Sequence, residues 1–176
     1  MGKYALEENH GKKAEDRFEE LAIDSGYEVT QSSNYENMAK HIDFYLQHSK
    51  GIDCFTVDVK ARKKSTRSDS SYNDELVWVE FHNVQGRNGW LYGEADKIAF
   101  EREDDFVLIP RVGLAKFCEK AVAPFFVKNS TDAVYKCIQR NGRKDVISKV
   151  LMSDIIENVD NILHWKKDVD SVKQAV

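Results

Sequence analysis

The sequence predicts an α/β domain, a central mixed β-sheet flanked by helices, with a β-hairpin plus helix added at the C-terminal end. Three observations predict it. An amphipathic helical segment precedes two strand-like segments in which apolar residues strictly alternate. Further short β-prone runs then mix with helical patterns, the order expected of an α/β protein. Close to the end, Asn141-Gly142 lies between two β-prone runs and marks a hairpin connection longer than a two-residue turn.

In residues 12–25, Ala14, Phe18, Leu21 and Ala22 recur at helical spacing, and Gly26 supplies a stop. Tyr27 to Thr30 reads as a short strand and 31–40 as a polar loop. Strands follow at 41–47 and 53–62, joined by a hairpin connection. In the first, Ile42, Phe44 and Leu46 face a core while His41, Asp43 and Tyr45 face out; in the second, Phe55, Val57, Val59 and Ala61 face in. Residues 64–75 are rich in Ser, Thr, Asp and Asn and read as a loop. A third strand at 76–82 places Val77, Val79 and Phe81 on one face and Trp78, Glu80 and His82 on the other. The glycines and aromatics of 83–96 suggest a shaped loop. Strands at 97–100 and 105–109 follow, the second ended by Pro110, which has no N–H to give a ladder. A helix at 112–121, a hairpin from 134–138 and 145–151, and a helix from Ser153, as N-cap, to about Trp165 complete the reading.

The chain has 176 residues, 41% of them hydrophobic and 32% charged, enough for one domain with a real core. No apolar run is long enough to span a bilayer, and no membrane association is expected. The start of the sequence lacks the apolar stretch of a secretory signal. Three widely spaced cysteines argue against a disulfide framework, so a reducing, cytoplasmic setting is expected. The net charge of −4 does not advertise a nucleic-acid binder, but Lys60, Arg62, Lys63, Lys64 and Arg67 form a local basic segment.

That segment trails the most informative stretch, Asp58-Val59-Lys60. Alternation puts Asp58 and Lys60 on one face of their strand, and pairing with the preceding strand brings Asp43 beside them. Two converging carboxylates repel each other, and a divalent cation relieves that repulsion. Magnesium prefers oxygen donors, here Asp43, Asp58 and the carbonyl of Val59. Lys60 would then orient a water or stabilise charge developing on a phosphodiester. Taken alone, Asp-x-Lys more often means a cross-strand ion pair of small value.

With the helix–hairpin–strand order and the basic segment included, residues 11–109 resemble the PD-(D/E)XK nuclease superfamily, most closely its Holliday-junction-resolvase-like and phage-encoded members. Asp43 matches the first acidic motif, without the usual preceding proline, and Asp58-Val59-Lys60 matches the second, with Asp where resolvases often have Glu. Gly11-Lys12-Lys13-Ala14-Glu15 matches the helix motif, which makes Glu15 the third carboxylate; Glu19, one turn on, is the alternative. The resemblance implies a restriction-endonuclease-like core at 1–125 with an extension at 126–176 packed on it. It further implies Mg²⁺ or Mn²⁺ as cofactor, DNA as partner, hydrolysis of phosphodiesters in linear or branched (Holliday junction) DNA, and it admits a homodimer. Catalytic roles fall on Glu15, Asp43, Asp58 and Lys60, and DNA contacts on Arg62, Lys63, Lys64, Arg87 and Asn88. Glu80 is an accessory candidate or a solvent-facing rim residue, and Trp90 either stacks on a base or plugs the core. His41, His48 and His82 carry little weight as a metal site, their spacing being too wide. The rival classes are a non-catalytic DNA-binding module and a small interaction protein that uses the aromatic loop at 90–92, with which a pI of about 5.8 agrees.

Overall fold

The alternating apolar residues of the two predicted strands do form one buried face, and a long helix covers it. The structure, a computed structural model, describes residues 3–66 and 69–167, with side chains from His10 onward. Arg67 and the tail after 167 lie outside the described residues. Helix α1 (Lys3–Asp24) begins well before the predicted start and ends two residues before Gly26, whose φ of 87° suits glycine. Its Ala14, Phe18 and Ala22 are fully buried. They pack against Phe44, Leu46, Phe55, Val57 and Val59 of strands β2 (Phe44–His48) and β3 (Cys54–Lys60). Phe18 is the centre of this layer, with ring centroids 6.0 Å from Phe44, 5.3 Å from Phe106 and 5.5 Å from Trp165.

Strand β1 (Tyr27–Gln31) pairs antiparallel with β2, and β2 with β3. Between β1 and β2 the expected polar loop is instead a helix, α2 (Asn34–Lys40). Ser33 and Glu36 form a reciprocal capping box there, which satisfies two of the free N–H groups at its start. His41 closes the helix in a left-handed conformation (φ 55°), so β2 begins at Phe44 and not at 41.

Strand β4 (Leu76–His82) leaves this sheet. The neighbour of β3 is β5 (Lys97–Glu101), parallel to it, and β6 (Asp105–Pro110) returns antiparallel to β5. Pro110 ends β6, as its missing N–H requires, and α3 (Arg111–Ala121) follows at once. Strands β7 (Ala123–Val127), β8 (Lys136–Ile138) and β9 (Val146–Leu151) come next, then helix α4 (Met152–Asn158) and strand β10 (Leu163–Lys166). The predicted hairpin is the β8–β9 pair. Strand β7, unforeseen, runs parallel to β8.

The predicted helix from Ser153 to Trp165 is corrected twice. Ser153 is not its cap, because its hydroxyl (2.5 Å) and N–H (3.2 Å) both donate to Glu75. The helix ends at Asn158; Asn161 takes φ 60°, and 163–166 form a strand paired with β6. Trp165 is thereby laid against Phe18 and Tyr27. A helix there would carry it away from that layer.

The architecture is mixed α/β: a six-stranded sheet in the order β1-β2-β3-β5-β6-β10 and a four-stranded sheet β4-β9-β8-β7. Residue 125 falls inside β7, and both sheets draw strands from either side of it. Ile98, Phe100, Val107 and Ile109 on the far face of the first sheet pack with Val77, Val79 and Val150 of the second. Among the described residues no helix is long and apolar enough to cross a membrane, and the three cysteines are free.

Truncating Phe18 to Ala removes the ring at the centre of the α1 layer, and urea titration should record a loss of about 3–5 kcal/mol. The same change at Phe126, 61% exposed on β7, should cost less than about 0.5 kcal/mol.

Candidate active site

The site forms where the β2–β3 ladder runs out. Phe44 pairs with Val57, and the Asp43 N–H donates to the Val57 carbonyl at 2.8 Å. Two residues further along β3, at Val59, there is no strand opposite. The Asp43 side chain takes that place, its Oδ2 accepting the Val59 N–H at 2.6 Å. In a strand the N–H and C=O of one residue address the same side, so the Val59 carbonyl also faces the Asp43 side. Asn37, one turn into α2, donates to Asp43 Oδ1 and orients it. Asn37 was hidden in the predicted loop; the Ser33-x-x-Glu36 box was the signal that marks its helix.

Asp58 and Lys60 share the face that bears Ile98 and Phe100, their partners in register on β5. That face was expected to look outward. It is covered by the second sheet, and Asp58 is only 3% exposed. Its Oδ1 accepts a hydrogen bond from Lys60 Nζ at 2.6 Å, while Oδ2 is buried and has no hydrogen-bond partner among the described residues. A partnerless buried carboxylate oxygen is costly and calls for an explanation.

Charge completes the picture. Burial, and then the neighbouring Asp58, push the Asp43 carboxyl up to about 6 against the opposing pull of Lys60 and the Val59 N–H. Burial likewise raises Asp58, although Lys60 opposes it. The two aspartates thus hold a proton between them more readily than isolated ones. Glu15 is raised by burial and by the charge of Asp43, with Lys12 at 3.6 Å working against both. Glu19 points elsewhere, accepting from Gln31 Nε2 at 3.0 Å. Of the two helix carboxylates, Glu15 is the one that shares the field of the aspartates.

Glu80 belongs to the second sheet, yet it lies within the field of Lys60. Burial raises its carboxyl, and Lys60, Lys63 and Arg140 pull it back. Gly89 packs so tightly on Glu80 that an added Cβ would collide with its carbonyl. Lys60 Nζ also sits over the Trp90 ring, 5.1 Å from the centroid.

The basic segment divides. Arg62 is turned inward, its Nε 2.8 Å from Asp74 and its Nη2 3.2 Å from Glu103, over the Tyr72 ring at 5.1 Å. That guanidinium braces the 61–75 loop, and two carboxylates already balance its charge. Lys63 is exposed, and Lys64 is half-buried with its carbonyl accepting the Trp78 indole N–H at 3.3 Å. Arg87 and Asn88 are exposed on a turn closed by Asn83, whose side chain accepts the N–H groups of Gln85 and Arg87. In the aromatic loop at 90–92, Trp90 is 9% exposed and plugs the core against Phe100, Leu91 is fully buried, and Tyr92 is half-buried. His41 caps α2, His48 meets Tyr27 at the end of β2, and His82 ends β4, so the histidines stand on separate elements.

Among the described residues no three His, Cys, Asp or Glu side chains form a ready-made metal cluster. The donors nonetheless fit a hard cation, all of them oxygens and one of them without a partner. Comparison with protein-family models, with curated proteins and with solved structures finds no match for this chain.

A group whose folded pKa is raised favours folding at low pH and loses that contribution as pH climbs through the folded value. In chelator, Asp43→Asn should therefore gain on the wild type between pH about 4 and about 6, by about 1–3 kcal/mol in paired urea titrations. Asp58→Asn should match or exceed the wild-type melting temperature at neutral pH. Lys60→Met, which strands the Asp58 charge, should lower stability by about 1–3 kcal/mol.

Proposed function

We propose that this chain is a metal-dependent endodeoxyribonuclease with a restriction-endonuclease-like core, akin to Holliday-junction-resolvase-like and phage-encoded enzymes. One observation carries the reading: Asp58 is buried at large cost, compensated on a single oxygen, beside a second aspartate and within the field of Glu15. Asp58 raises Asp43, Asp43 raises Glu15 and Glu15 raises Asp58; a structural ion pair has no need of three carboxylates crowded in this way, whereas a cation site does.

Asp43, Asp58, Glu15 and the Val59 carbonyl would hold Mg²⁺ or Mn²⁺. The bound ion would supply a Lewis acid and a water of lowered pKa. Asn37 and the Val59 N–H keep the Asp43 carboxylate oriented, so that it is preorganised for that task. The Lys60 ammonium donates hydrogen bonds to the oxygen on which negative charge gathers as the phosphodiester is attacked. Lys63, Lys64, Arg87 and Asn88 would meet the phosphate backbone on either side, and a homodimer would present two such sites to a branched substrate. Arg62 is withdrawn from that list because its charge is spent on Asp74 and Glu103.

The runner-up is a non-catalytic DNA-binding or protein-interaction module of the same fold, favoured by the exposed Phe125 and Phe126 on the edge strand β7. The test is cleavage of a labelled four-way junction and a matched linear duplex in Mg²⁺, Mn²⁺ and chelator. Metal-dependent cutting is expected, slowed about 100-fold or more by Lys60→Ala in protein that still melts cooperatively. Folded protein that cuts neither substrate in either metal would leave the runner-up.

A further inference from the structure

Trp90 is buried, yet it does more than fill space. Its ring stands at 68° to Phe100 with centroids 5.9 Å apart, and Gly89 before it has no room for a side chain. The indole is therefore fixed on the side of the second sheet, in a short 3₁₀ turn (Trp90–Tyr92) whose N–H groups at Tyr92 and Gly93 bond back to Gly89 and Trp90 at 3.0 Å each. Lys60 reaches toward it from β3 across a narrow crevice between the sheets, lined also by Ala61, Trp78 and Phe100. Its ammonium thus has two partners of different kinds. Asp58 is a charge that a bound cation would claim. Trp90 is neutral, is packed against Phe100, and cannot be claimed.

We infer that Trp90 is the fixed support of the Lys60 ammonium, a positioning residue that holds Lys60 in place when Asp58 turns to a cation. The inference rests on the nuclease reading for its catalytic consequence, but the support itself is a property of the fold. A cation over an aromatic face is attracted by the ring quadrupole, most strongly for indole and most where water is excluded. Without that support, a cation arriving beside Asp58 would repel the ammonium out of the crevice and toward solvent. With it, the Asp58–Lys60 contact exchanges for Trp90–Lys60, with Glu80 still within the field of the ammonium, and the ammonium stays beside the reacting phosphate.

The decisive measurement is proton–carbon NMR of lysine-labelled full-length protein, with the Lys60 ε-methylene identified by its absence in Lys60→Arg. Over an indole face these protons are shifted upfield by the ring current. The upfield position should persist from chelator into saturating Mg²⁺ and should vanish in Trp90→Leu. Loss of the shift on adding Mg²⁺, or its survival in Trp90→Leu, overturns the inference. Cleavage adds a second arm, read on variants of matched melting temperature. Trp90→Leu should slow single-turnover cutting about tenfold with DNA affinity within about twofold, and Trp90→Phe should restore most of the rate. Equal rates for the Leu and Phe variants would overturn the catalytic consequence. A wild type that cuts no DNA but keeps the shifted resonance would sink the nuclease reading and leave the support standing.

Discussion

The ion pair between Asp58 and Lys60 is the constraint around which the two sheets are arranged. A carboxylate 3% exposed must be neutralised, bonded or balanced, and this one is balanced on Oδ1 alone. Lys60 meets that demand because it sits two residues along the same strand, on the same face. The far wall is Trp90, which offers the ammonium a second surface. Were the second sheet absent, the pair would be an ordinary solvated contact of little value. Its cover converts the pair into a site with a strongly biased charge balance.

That cover follows from a topological choice. Because β5 and not β4 lies beside β3, the chain must leave the first sheet after Lys60, travel through β4, and return. The excursion brings Glu80, Gly89 and Trp90 over the end of β3. On the other side, α2 does a similar service for Asp43: it buries none of its own residues, yet places Asn37 against the carboxylate. Helix α2 thus serves mainly to shape one end of β3, whereas the β4 excursion does so while also filling the second core with Val77, Val79, Trp90 and Leu91.

The charged residues of this chain are used inward more than its composition suggests. Arg62, Arg17 and Lys167 are occupied by Asp74, Glu103 and Glu101, and Arg102 and His164 by Asp105. These bonds tie α1, the 61–75 loop and the segment after β10 to the hairpin of β5 and β6. Arg62 illustrates the ambiguity of a basic run: the residues around it read as a phosphate-facing patch, while its partners lie 12 and 41 residues further along the chain.

What the sequence determined by itself was whatever depends on neighbours a few residues apart. The alternation along 42–46 and 55–61 set which side chains of β2 and β3 face α1, the Ala14–Phe18–Ala22 spacing set the inner face of α1, and Asp58-x-Lys60 set a pair on one face. Glycine at 26 and proline at 110 marked ends for reasons of backbone geometry alone. The capping box at Ser33 and Glu36 is an equally local signal, masked by the polar composition around it. Tertiary structure alone decided that the face of Asp58 is covered, that β4 joins β9 rather than β3, and that 163–166 is a strand. It also separated Glu15 from Glu19, turned Arg62 inward and set Trp90 beneath Lys60. Each of these depends on contacts between residues distant in the chain, whose energies outweigh local preference and leave no periodic trace in the sequence.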